Sequence, residues 1–108
     1  MNITQQNVNV YEISELDALD PIRVLFIDSI SATRLIIQTG AKAYCYYFGA
    51  IGDQTGKDFF LACGTDYLVM KLIDYSCTKT KIKQETIYLT KIIDVIKKAL
   101  LSINNKTV

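Results

Sequence analysis

The chain has 108 residues, half of them hydrophobic, with one proline and no histidine. That describes a single domain, 1–108, with apolar material for a real core and little scope for disorder beyond the ends; at this mass the folded surface should be roughly 6,000 Å² against about 18,000 Å² for the extended chain. The formal net charge is +1, unevenly spread, and Arg23, Asp28 and Arg34 break up the longest apolar stretch, which excludes a membrane span of about 18–20 residues.

The first seven residues are polar, as a frayed end is. Val8 and Val10 alternate with asparagines, which predicts a short strand to Ile13. Ser14 to Pro21 reads as a turn, because Asp20-Pro21 stops a helix. Ile22–Asp28 is rich in β-branched residues and alternates as a strand. Ser29–Thr33 reads as a loop, Arg34–Gln38 as the next strand, and Thr39-Gly40 turns the chain into the aromatic stretch KAYCYYFGAIG. There, Tyr44, Tyr46 and Phe48 share one face, with Cys45 and Tyr47 on the other. Both faces are apolar, which predicts a central strand with something packed on each side. The result is an antiparallel meander over about residues 8–50.

After Gly52 the period changes from 2 to 3.6. Thr55 and Asp58 have the spacing of a capping box, and Phe59, Phe60 and Cys63 fit one helical stripe. Gly64 is expected as the left-handed residue ending that helix. Thr65 or Asp66 is then expected to cap a second, with Leu68, Val69, Leu72 and Ile73 on its buried side. A strand pair over Phe59–Cys63 and Leu68–Ile73 is the alternative. Residues 75–83 read as a lysine-rich connection. A long amphipathic helix follows over about 84–103: Leu89, Ile92, Ile93, Ile96, Leu100 and Ile103 line one side, and Asn104-Asn105 ends it. Asp94 and Lys98 are spaced for an ion pair. The predicted class is α+β, with two short helices (about 55–73) and the long one covering one face of the sheet. Their apolar residues should pack against Leu25, Ile27 and the aromatic strand.

Little here points to catalysis. Without histidine, a base at neutral pH needs a perturbed carboxylate, lysine or cysteine. Asp28 ends an apolar strand, as catalytic carboxylates often do, but no partner carboxylate, phosphate loop or nucleophile motif accompanies it. Cys45, Cys63 and Cys77 form no CxxC pair and read as reduced thiols acting as small hydrophobes. No cofactor or metal is expected. The N-terminus lacks the basic and apolar regions of a signal peptide, so a cytoplasmic protein is expected.

Binding is the better class. Arg34 and Lys42 near Tyr44, Tyr46 and Phe48 suit base stacking on a sheet, although such aromatic residues also serve as core. Through Ser76 five basic residues stand against nine acidic ones, and after it seven against two. Lys79, Lys81, Lys83, Lys91, Lys97 and Lys98 therefore suit an acidic partner or nucleic acid, or simply a solvated helix face.

Leu19-Asp20-Pro21, Tyr47, Gly49, Gly52, Phe59-Phe60, Cys63 and Tyr67-Leu68 stand in an order that resembles a family of small proteins of tailed phages and prophages of gammaproteobacteria. That pattern runs from Leu-Asp-Pro through a glycine-rich hairpin, Gly-Lys-Ala-Trp and Tyr-Trp-Gly-x-Met-Gly to Phe-Phe and Tyr-Leu. The resemblance covers about residues 16–73. Tyr44 and Phe48 replace its tryptophans, Ile51 its methionine, and Ser29–Thr33 has lost the glycine-rich hairpin. It carries no activity over. Taken with the missing histidine and the lack of a convergent acid–base or metal constellation, it leads to the expectation of a non-catalytic phage accessory protein, monomer or homodimer, in the host cytoplasm. Such a protein would bind a host protein or ribonucleoprotein complex and inhibit a defence system in the manner of anti-CRISPR proteins. The alternative is a small nucleic-acid-binding protein using the basic C-terminal segment.

Overall fold

The computed structural model describes residues 1–6 and 8–106. Four strands come first: β1 (Asn9–Ile13), β2 (Ile22–Ser29), β3 (Ala32–Thr39) and β4 (Lys42–Phe48). Three helices follow: α1 (Gly56–Ala62), α2 (Thr65–Leu72) and α3 (Lys79–Lys106). The strands form one antiparallel sheet in chain order, β1-β2-β3-β4, and the helices cover one face of it. This is the expected α+β architecture, with helices rather than a strand pair over 59–73. Residues 1–6 are exposed and without regular structure; Asn7 of the expected frayed end lies outside the described residues.

Two-residue turns make both long hairpins. Gly40 takes φ 56° between β3 and β4, and a Cβ there would meet Asp20 Oδ2 at 2.6 Å. Ser31 adopts the same left-handed backbone between β2 and β3. The tighter turn lets β2 and β3 each extend into what reads as a loop, with Ser29 opposite Ala32.

Alternation then decides the core. Val24 and Phe26 pair with Ile37 and Leu35, and all four are buried. Leu25 and Ile27, expected to face the helices, lie on the opposite, half-exposed face. β2 is apolar at both parities, so only pairing and packing select the inward set. The aromatic strand also differs from expectation: β4 pairs only with β3 and forms an edge. Its inner face is packed while Cys45 and Tyr47 remain exposed.

The helices cap the sheet with Phe60, Leu68, Leu72, Leu89, Ile92, Ile93, Ile96 and Leu100, all buried. Phe60 meets Phe26 edge-on with ring centroids 5.8 Å apart. Each such side chain contributes about 1.5–3 kcal/mol of hydrophobic stabilisation. Ile103 of the expected stripe is half exposed instead, bordering a surface hollow beside β1. The predicted Thr55 cap is present: its Oγ1 accepts from the Asp58 N–H at 3.2 Å. Gly64 is not left-handed. It is extended (φ −65°, ψ 147°) and is itself the N-cap of α2. Thr65, released from capping, donates its hydroxyl to Asp94 Oδ1 at 2.9 Å, where an Asp94–Lys98 pair was expected. α3 begins five residues before the expected start. Lysines oppose the helix dipole at an N-terminus, so the segment reads as a connection; Thr78 Oγ1 nevertheless caps it, accepting from the Lys81 N–H at 3.2 Å. Nor do Asn104-Asn105 end it, since the helix continues through Lys106.

Candidate functional site

The densest polar cluster joins β4 to the first turns of α3. Lys42 and Tyr44 share one face of β4 by their spacing. Lys81 and Glu85, four residues apart, share one face of the helix opposite. Tyr44 donates to Glu85 Oε2 at 2.5 Å, and Lys42 donates to Oε1 at 3.0 Å. Lys42 Nζ also sits 4.4 Å from the centre of the Tyr88 ring, a cation–π contact. Lys42, Tyr44, Lys81 and Glu85 wall a cleft of about 370 Å³ whose other sides include Cys45, Leu72, Ile73, Asp74 and Cys77.

The electrostatics follow from these contacts. The Tyr44 hydrogen bond, aided by Lys42 and opposed by partial burial, holds Glu85 below the usual carboxylate range. Burial, then the hydrogen bond to Glu85, pushes the Tyr44 hydroxyl well above its ordinary value. Glu85 is thus ionised and Tyr44 neutral at pH 7, and neither titrates near neutrality as a general acid or base should. Asp74 is held low by the Ser76 hydroxyl and N–H, at 2.7 and 2.9 Å. Burial pushes the Cys63 thiol up, partly offset by Lys97, which makes it less reactive.

The cluster unites Lys42, Tyr44 and Lys81 of the sequence candidates; the others lie elsewhere. Phe48 is core, packed on Phe59 with centroids 5.1 Å apart. Tyr46 is half-buried beneath Lys71, whose Nζ is 5.3 Å from its ring centre. Arg34 is on the sheet's outer face, 5.2 Å from the ring centre of Tyr47 and 3.7 Å from Cys45 Sγ. Lys79, Lys83, Lys91 and Lys98 are exposed along α3. Lys97 donates to the carbonyl of Cys63 at the end of α1. Of the three thiols, Cys45 is exposed and the other two half-buried, so Cys45 is not the small core hydrophobe expected.

Asp28 has a structural partner. Its Oδ1 accepts the Gly56 N–H at 3.1 Å, tying β2 to the start of α1. A Cβ on Gly56 would fall 2.5 Å from that oxygen and closer still to Thr33 Oγ1.

The second feature is the outer face of the sheet. Val10, Leu25, Ile36 and Cys45 form one row across all four strands. Ile27, Arg34 and Tyr47 form the next row, and Glu12, Arg23, Gln38 and Ala43 the row on its other side. No helix covers this face among the described residues. Tyr47 is 51% exposed and Val10 50%. An apolar stripe rimmed by charge is the arrangement that marks interaction surfaces.

Tyr47 and Glu85 are candidates that the structure adds to those read from the sequence. Tyr47 has the opposite parity to Tyr44, Tyr46 and Phe48, which was the available signal. Glu85 is the one carboxylate within the lysine-rich segment 79–91, four residues from Lys81.

No helix of the described residues is long and apolar enough to cross a membrane. Neither a curated protein nor a solved structure matches the chain significantly. The model of a phage family, Phage_phiTE_072, matches residues 1–86, a span that takes in the sheet, both short helices and the opening turns of α3 through Thr86. The chain belongs to this phage family.

Proposed function

We propose that this phage protein acts by binding, without a catalytic centre, in the cytoplasm of a bacterial host. It occupies the surface of a host protein or ribonucleoprotein complex and disables it, as an anti-CRISPR-like inhibitor of a defence system does. The observation that carries this reading is the bare outer face of the sheet, with its Val10–Leu25–Ile36–Cys45 row and the Arg34–Tyr47 pair. A solvated sheet face normally alternates to polar residues; this one keeps two aliphatic side chains at its centre. Tyr and Arg are also the residue types that dominate binding energy at interfaces. The polar groups support the same reading, because Asp28 and Glu85 are both engaged in structural contacts.

A second reading has its own support: Lys79, Lys83, Lys91 and Lys98 run along the exposed side of α3 and would suit phosphates. Affinity capture from host cells, with mass spectrometry and nucleic-acid analysis of what co-purifies, separates the two. A partner protein held by the apolar face should survive a rise in salt. Nucleic acid held by lysines should be lost, by about 0.9 log units of affinity per log of salt for each duplex phosphate neutralised. Capture of nucleic acid alone, with that salt slope, contradicts the first reading.

A further inference from the structure

β4 is an edge strand with few of the usual guards. Natural edges are shortened, bulged, charged or interrupted by proline. β4 has seven residues, KAYCYYF, with no proline, and its only charge is at Lys42. Its pairing to β3 runs without a bulge from Thr39–Lys42 to Thr33–Phe48. The other edge, β1, is shorter and carries Glu12 within its five residues.

Two hollows lie along β4. The first is the cleft of about 370 Å³, lined by Tyr44 from the inner face of the strand and Cys45 from the outer. The second, about 220 Å³, is lined by Tyr46 and Phe48 from the inner face, Tyr47 from the outer, and Tyr67 and Lys71 of α2. Each is bounded by both faces of β4, so each opens at its edge rather than on one side of the sheet. Side chains two residues apart on an added strand would point to the same side, as the hollows require.

Charge selects the occupant. Lys42 and Lys81 border the first hollow and Lys71 the second. The carboxylates nearby are committed: Glu85 to Lys42 and Tyr44, and Asp74 to Ser76. β4 contains no carboxylate, so a second copy laid along it would bring Lys71 and Lys81 no acid from that strand.

We propose that β4 is a docking edge that takes an extended acidic segment of the partner protein as a fifth strand. Main-chain hydrogen bonds supply affinity, apolar side chains enter the two hollows, and acidic residues meet Lys71 and Lys81. This rests on the reading of the protein as a binder of another protein and names how part of that partner is held.

The test uses the whole protein and labelled peptides matched in length to β4, alternating glutamate with leucine, valine or phenylalanine. Anisotropy should show binding, with slowed hydrogen exchange at alternate β4 amides. Methylating the peptide nitrogens that face β4 should abolish binding, and methylating those on the far edge should spare it. The double variant Lys71→Glu/Lys81→Glu should weaken binding by about tenfold or more, the sum expected of exposed ion pairs. The proposal is overturned if none of the acidic peptides binds at about 1 mM, if lysine-bearing peptides bind equally, or if both methylated forms behave alike. Protection of β4 that grows with protein concentration and needs no peptide would identify a second copy as the occupant and overturn it too. A host protein whose capture survives Lys71→Glu/Lys81→Glu but is lost on Ile36→Glu leaves the binding function standing and overturns the edge alone.

Discussion

At the scale of single residues, Tyr44 and Glu85 tie the sheet to α3, and their titration makes stability depend on pH. Glu85 is held below its unfolded value of about 4.5, so its contribution is present above that pH and is lost as pH falls through the lower folded value. Tyr44 has the opposite sign. Its folded value lies above the unfolded value of 10.0, so its contribution is complete below pH 10.0 and declines as pH rises further. Tyr44→Phe should cost about 1 kcal/mol near pH 7, discounted for partial exposure, and the difference from wild type should shrink in acid, as pH falls below 4.5 through the lower folded value of Glu85. Urea denaturation near neutrality and in acid measures this; equal loss at both would assign the effect to packing. Carbon-13 NMR of the Glu85 carboxyl should show its pKa rising in the variant. Gly56→Ala should cost about 1–3 kcal/mol, since its methyl would press into Asp28 and Thr33. A variant as stable as wild type would mean that α1 can shift away from the sheet. The Tyr44–Glu85 bond could not be read from sequence, because it joins positions 41 apart that come together only after the sheet and helices pack.

At the scale of elements, the strands and helices were legible, and the faces were not uniformly so. The stripe Leu89–Ile92–Ile93–Ile96–Leu100 of α3 could be read because polar residues occupy its opposite side. β2 could not be oriented, because Val24-Leu25-Phe26-Ile27 is apolar at both parities. The same ambiguity made β4 look central: Cys45 and Tyr47 suggest packing on both sides, whereas they belong to an uncovered face. α3 starts early because Thr78 caps it and Ile82 packs against the core, both of which outweigh the unfavourable lysines. These assignments make a paired prediction. Leu35→Ala, Ile93→Ala and Phe60→Ala should each cost about 2–5 kcal/mol. Leu25→Ser and Ile36→Ser, on the half-exposed face, should each cost less than about 1.5 kcal/mol. Chemical denaturation of the set checks it, and a reversal between Leu35 and Leu25 would put the helices on the wrong side of the sheet.

At the scale of the whole molecule, one layer of helices covers one face of a four-stranded sheet, and among the described residues no helix covers the other. The accessible surface is 7470 Å², above the roughly 6,000 Å² expected of a compact chain of this mass, and the exposed, irregular residues 1–6 contribute to it along with the open sheet face. The central claim is that this open side, and not a reactive group, performs the function. Asp28 offers a clean comparison, because Asp28→Asn removes its charge while the amide oxygen can still accept the Gly56 N–H. The decisive measurement is quantitative capture of the host partner by wild type and by two variants of confirmed fold, Ile36→Glu/Tyr47→Ala and Asp28→Asn. Each is scored beside its biological effect in the host. The account predicts that the outer-face variant loses both partner and effect, by about tenfold or more for removal of an interface anchor, while Asp28→Asn keeps both. Unchanged capture by the outer-face variant, together with loss of the effect in Asp28→Asn, would contradict it and assign Asp28 a chemical role.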